Sequence, residues 1–127
     1  MKKYIVGTNV FLRFFLKDHP THFTKAKKYF TQATLGKIKL ILIPQVIFEI
    51  NYVLKGVYSL SKKEIVNLLQ KTLSSPTLIV KNRQLLQDSL ETYLCYNIDL
   101  VDAYLYQNSK HQNAQVLSFD KKLNKIK

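Results

Sequence analysis

Four short apolar runs recur along the chain: "KYIV" from Lys3, "IKLILI" from Ile38, "TLIV" from Thr77 and "AQVLSF" from Ala114. Strands half exposed to water alternate apolar and polar residues. Continuous β-branched runs instead mark strands covered on both faces, the habit of parallel sheets. Parallel neighbours need long crossover connections, and the stretches between these runs have helical patterning. The chain therefore reads as an α/β sandwich, with helices on both faces of a mostly parallel sheet. In open sheets of this kind ligands bind beyond the carboxyl ends of the strands. That rule directs attention to Gly7–Asn9 and Ser118–Asp120.

The helical stretches carry their own punctuation. "VFLRFFLKD" follows Thr8 and Asn9, either of which can cap it. "HPTHFTKAKKYFTQATLGK" has Pro20 near its start and Gly36 past its end. Pro44 closes the second strand, and "QVIFEINYVLKGVYS" is helical. Ser61 with Glu64 three residues later forms a capping box for "SKKEIVNLLQKTLSS". "RQLLQDSLETYLCY" and "DLVDAYLYQNSKHQ" are helices, the second capped by Asp99. "DKKLNKI" closes the chain as a short helix.

A chain of 127 residues, 46% hydrophobic with only 3 Gly and 3 Pro, reads as a single domain over 1–127. Its 20 Lys and Arg against 8 Asp and Glu give a formal net charge of +12, a surface that attracts polyanions. Cys95 is the only cysteine, so no intrachain disulfide forms, as in a reducing compartment. No window holds ~18 uninterrupted apolar residues, so no membrane span is expected and the cytoplasm is the default.

With 8 acids in the chain, each can be weighed. Asp120 directly follows the fourth run, where sites are built, although it can equally cap the last helix. Glu49 lies about 40° from Val53 and about 60° from Val46 on an ideal helix, at the margin of the apolar stripe. A carboxylate there is costly unless paired or metal-bound, or unless it reaches water. Asp99 and Asp102 share one helix start and favour its dipole. Asp102 also lies within the nearly apolar "LVDAYLY" and is expected to be buried. Asp18, Asp88, Glu64 and Glu91 stand beside polar residues and read as solvated. Clustered carboxylates repel and persist only with protons or a cation, and hard oxygen donors suit Mg²⁺ or Mn²⁺. The histidines lack cysteine partners for zinc, and no phosphate-binding glycine loop is present.

Four stretches together, "YIVGTNVFLRFF", "IPQVIFEINYVL", "IDLVDAYLYQ" and "VLSFDKKL", resemble in order and spacing a PIN domain, specifically the VapC-like toxin ribonucleases of toxin–antitoxin modules. The resemblance implies a three-layer sandwich with a central sheet of four to five strands, and a Mg²⁺-dependent endoribonuclease. It implies that Glu49, Asp102 and Asp120 are catalytic and hold the metal, with Asp99 accessory. Thr8, Asn9 and Ser118 would support the site, and Arg13, Lys121 and Lys122 would meet nucleic acid. The family's first motif is Asp-Thr-Asn, so Gly7 stands at the first acidic position. The implied partners are an RNA substrate, a small cognate antitoxin and a second copy in a homodimer. Two other readings stay open: an inactive PIN-fold module binding RNA or antitoxin, and a PIN nuclease of RNA processing or DNA repair.

The charge generates the first prediction. Lysines that neutralise phosphates release counterions, so RNA affinity should fall linearly in a plot of log affinity against log salt. Titration of a labelled single-stranded RNA at increasing salt checks this, and a flat line would refute backbone contact.

Overall fold

The structure is a computed structural model and describes residues 1–126. The elements are β1 (Lys3–Ile5), α1 (Thr8–Leu16), α2 (Pro20–Thr34), β2 (Lys39–Leu42), α3 (Pro44–Gly56), α4 (Lys62–Leu73), β3 (Leu78–Val80), α5 (Arg83–Cys95), α6 (Leu100–His111) and α7 (Lys121–Asn124). The strands lie in the order β1-β2-β3, all parallel. Tyr4, Leu40 and Leu78 stand in register across the sheet, as do Ile5, Ile41 and Ile79.

Register decides which residues enter the core. Leu40, Leu42 and Leu78 are buried with Val6, and meet Ile47, Ile50 and Leu54 from α3 and Ile65, Leu69 and Leu73 from α4. Residues one position along point to the opposite face. There Ile5 and Ile79 are exposed. The α3 core residues Ile47, Ile50, Asn51 and Leu54 follow the three-four spacing of one helical face.

The sheet has three strands among the described residues, where the resemblance implies four to five and the apolar runs gave four. "AQVLSF" is the segment that differs. Its flanking backbone bonds are local: Ala114 N–H donates to the Ser109 carbonyl at 2.8 Å, and Asp120 N–H to Ser118 Oγ at 3.0 Å. Leu117 and Phe119 are 97% and 100% exposed, so nothing buries them against a sheet. An apolar run records a preference for a pleated, covered surface; it supplies no partner edge.

Helix ends follow the sequence signals unevenly. The capping box at Ser61 is complete, with Ser61 Oγ accepting from Glu64 N–H at 3.1 Å and Glu64 Oε1 accepting from Ser61 N–H at 3.1 Å. Thr8 does not cap α1; it is already inside the helix, and Gly7 stands at the N-cap with no side-chain bond. Two cations take over orphan carbonyls elsewhere. Arg83 donates to the carbonyls of Leu73, Ser75 and Leu78, tying the end of α4 to β3. Lys62 Nζ donates to the carbonyls of Tyr93 at 2.8 Å and Tyr96 at 3.0 Å, which fixes the chain just ahead of Asp99. No helix is long and apolar enough to cross a membrane among the described residues.

Ser61→Ala removes one half of the capping box. It should lower stability by about 1 kcal/mol. In urea unfolding the midpoint should drop with an unchanged slope.

Candidate functional site

α3 and α6 form the walls of the site. The Phe48 ring meets that of Tyr104 edge-on at 5.1 Å. One turn further along α3, Asn51, Tyr52 and Lys55 share a cleft with Asp99, Val101 and Asp102. The two helices therefore run in opposite directions, and the acidic start of α6 lies beside the second half of α3. The cleft encloses about 630 Å³.

Asp102 is half-buried in the first turn of α6. Burial is the main cause that pushes its carboxyl up, and the charges of Asp120 and then Asp99 add to it. Asp120 and Asp99 thus lie close enough to Asp102 for their charges to act on it. Among the described residues none of them has an ion-pair partner, since the two ion pairs found are Arg13–Asp18 and His111–Asp88. Asp99 occupies the N-cap position of α6 without a side-chain capping bond.

Asp120 is held by its own surroundings. Its Oδ1 accepts from Leu123 N–H at 2.9 Å, so it caps α7. Ser118 Oγ takes the Asp120 N–H, and Asn124 Nδ2 donates to the Ser118 carbonyl at 2.8 Å. Ser118 therefore fixes the turn that carries Asp120. Buried Leu123 anchors the short helix, and Lys121 and Lys122 follow Asp120 fully on the surface.

The other expected residues are not among those that line the cleft between α3 and α6. Glu49 is exposed on α3, with no hydrogen bond or ion pair among the described residues. Gly7 lines a separate depression with Tyr4, Val10 and Tyr29. Its backbone is extended at φ −77°, and a Cβ built there meets nothing within 4 Å. The turn therefore does not require glycine. Thr8 is buried, whereas Asn9 is exposed and shares a shallow cleft with Arg13, His22 and Lys25. Arg13 is turned onto Asp18, with Nη1 2.8 and 3.0 Å from the two carboxylate oxygens. Asp18 and Asp88, read as solvated, lie at the surface, Asp18 in an ion pair with Arg13 and Asp88 beside His111 Nε2 at 3.2 Å.

A family model for the PIN domain matches residues 4–127. The chain belongs to the PIN-domain family. Comparison with curated proteins and with solved structures gives no significant match. PIN domains are generally nucleases and typically use divalent metals, and this chain has their nuclease-type α/β fold.

The oxygen donors of Asp102 and Asp120 fit such a cation. Among the described residues no three acidic, histidine or cysteine side chains stand close enough to cage an ion. Mg²⁺ rarely asks for a cage; it keeps several waters and binds through one or two carboxylates plus phosphate oxygens. The carboxyls of Asp102 and Asp120, close enough for the charge of one to act on the other and without an ion pair among the described residues, suit that mode.

Asn51 was missed by sequence reasoning. It falls in the apolar stripe between Ile50 and Leu54, and its Oδ1 is buried with no hydrogen-bond partner. The signal was a polar residue at a core spacing.

The raised carboxyl of Asp102 generates a stability prediction. Between the ordinary value of 3.8 and its higher folded value, the folded chain binds more protons than the unfolded one. Stability therefore falls as pH rises through that window, and the whole penalty remains above it. Asp102→Asn should melt at a higher temperature than the parent at neutral pH, and the two should converge below the ordinary carboxylate value. Metal-free thermal melts across pH check this; a parent that melts higher at neutral pH would contradict it.

Proposed function

We propose that this PIN domain is a VapC-like toxin of a toxin–antitoxin module, a ribonuclease that cleaves RNA phosphodiesters with a divalent cation, Mg²⁺ or Mn²⁺. The observation that carries the reading is Asp102, a half-buried acid in the first turn of α6 that has no ion-pair partner among the described residues and is pushed up by burial and by the charges of Asp120 and Asp99. In a nuclease-type fold, that is an acidic group prepared for a metal and a phosphate.

Asp102 and Asp120 would hold the ion, with Asp99 beside them; Glu49 joins the set by its motif position in α3. When bound, the ion polarises the phosphodiester and lowers the pKa of a coordinated water. The chain's own residues do the rest. The Ser118–Asp120–Leu123 turn orients one carboxylate, and Lys62 fixes the loop that delivers Asp99. Lys121 and Lys122 would position the RNA backbone, and Arg13 with Lys25 offers a second basic surface. A cognate antitoxin would seat an apolar segment in the cleft of about 380 Å³ bounded by Phe14, Phe15, Phe30 and Leu68. A homodimer completes the proposed assembly, and the cytoplasm is its proposed location.

Gly7 favours a second reading, a PIN module that binds RNA or antitoxin without cleaving. Glycine offers no side-chain oxygen at the family's first acidic position. Gly7→Asp should raise Mg²⁺-dependent cleavage of a labelled single-stranded RNA by about 100-fold, since small misplacements of water and phosphate cost that much. Open space around the position keeps the stability change within about 0.5 kcal/mol. Asp102→Asn in that background should abolish the gain. Equal cleavage by the parent and Gly7→Asp would refute the role of Gly7 as a lost ligand. Bound but uncleaved RNA in both would favour the inactive module.

A further inference from the structure

Residues in register across a parallel sheet point to the same side. Leu40, Leu42 and Leu78 fill the core on one side. On the other, Ile5, Ile41 and Ile79 form one row, and Lys3 and Lys39 form a second nearer the amino ends of the strands. Ile5 is 67% exposed and Ile79 44%, and Ile41 between them is half-buried. Both lysines are exposed, and the three strands contain no acid. Parallel strands as apolar as these are ordinarily covered on both faces. A sheet face is covered by packing another element against it, and a helix suits this one. The isoleucine row spans two strand spacings, about 10 Å, which is the width of one helix.

We propose that this open face docks an acidic amphipathic helix of a partner protein, with its apolar stripe on Ile5, Ile41 and Ile79 and its carboxylates on Lys3 and Lys39. Charge selects this occupant. With a formal net charge of +12 the chain attracts acidic partners, and no acid on the face opposes them. A second copy laid face to face would set its lysines against lysines or against isoleucines, and leave their charge unpaired. Single-stranded RNA would find no aromatic ring for stacking among these residues. None of them lines the cleft of Phe14, Phe15, Phe30 and Leu68, so the surface is distinct from the one offered to an antitoxin. The inference rests on the sheet alone and stands whether or not the chain cleaves RNA.

The test uses the full chain and two labelled, helix-stapled peptides that share one leucine stripe, the first with glutamate at its other positions and the second with lysine. Fluorescence anisotropy should show the glutamate peptide binding about tenfold more tightly. Ile5→Thr with Ile79→Thr should weaken it about tenfold at unchanged net charge, and threonine keeps the β-branch that suits a strand. Lys3→Gln with Lys39→Gln should weaken it about tenfold, against about twofold for Lys27→Gln with Lys28→Gln, which lie exposed on α2. Methyl NMR of the parent should show the Ile5, Ile41 and Ile79 signals shifting as the peptide is added. Equal weakening by the two lysine pairs would reduce the attraction to net charge and overturn the proposal. So would binding untouched by the isoleucine variants, or methyl shifts confined to other isoleucines. A parent dimer that Ile5→Thr with Ile79→Thr dissociates would assign the face to a second copy and overturn it too. Sedimentation with phosphatidylserine vesicles that those variants abolish, with no peptide bound, would overturn it in favour of a lipid surface.

Discussion

Parallel pairing of β1 with β2 and of β2 with β3 is the constraint from which the rest follows. Each strand must hand the chain back across the sheet before the next can pair, so α1–α2 and α3–α4 are obligatory connections. One consequence is that α1 and α3 both begin at the carboxyl edge of the sheet. Neither start has a side-chain cap, since Gly7 and Ile43 occupy the N-cap positions without a bond. The positive ends of both helix dipoles face that edge, although Pro44 brings no N–H to the start of α3 and the N–H groups of Val10 and Val46 turn back to the carbonyls of Gly7 and Ile43.

α3 links this edge to the acidic cleft. One of its faces drives Ile47, Ile50 and Leu54 into the core, which fixes the helix. Its flank then presents Tyr52 and Lys55 to α6 in a set position. Asn51 lies between the two surfaces, buried like a core residue yet unsatisfied. Such an orphan costs roughly 1–3 kcal/mol. Asp102 adds a second cost, because its charge is partly desolvated and repelled. Both costs fall on residues that line the same cleft.

Elements with a strong local signal were legible. The Ser61–Glu64 box needs only four residues, and Pro20, Pro44 and Gly36 mark helix boundaries through φ alone. The α/β alternation was equally plain, because three apolar runs found paired edges. "AQVLSF" has the same local character, yet pairing depends on a neighbouring edge that composition does not encode. The site divides in the same way. The apolar context of Asp102 foretold a perturbed acid, and the place of Asp120 foretold its cap. How Asp99, Asp102 and Asp120 come together depends on the packing of α6 on α7, and Arg13 turns to Asp18 through a contact no periodicity describes.

Gly7 shows where folding and chemistry part. A glycine is required where φ is positive or space is short, and neither holds at this position. Folding mildly favours aspartate there, because an N-cap carboxylate accepts from the first turn and complements the dipole, whereas glycine caps a few tenths of a kcal/mol less well. Conformational demand therefore does not explain the glycine, and neither does steric exclusion. What remains is the side chain itself. Aspartate would add a charge and two oxygen donors at the carboxyl edge of the sheet, and glycine leaves that edge with backbone N–H groups alone. The difference between the two residues thus falls on ligand chemistry, with almost none on stability.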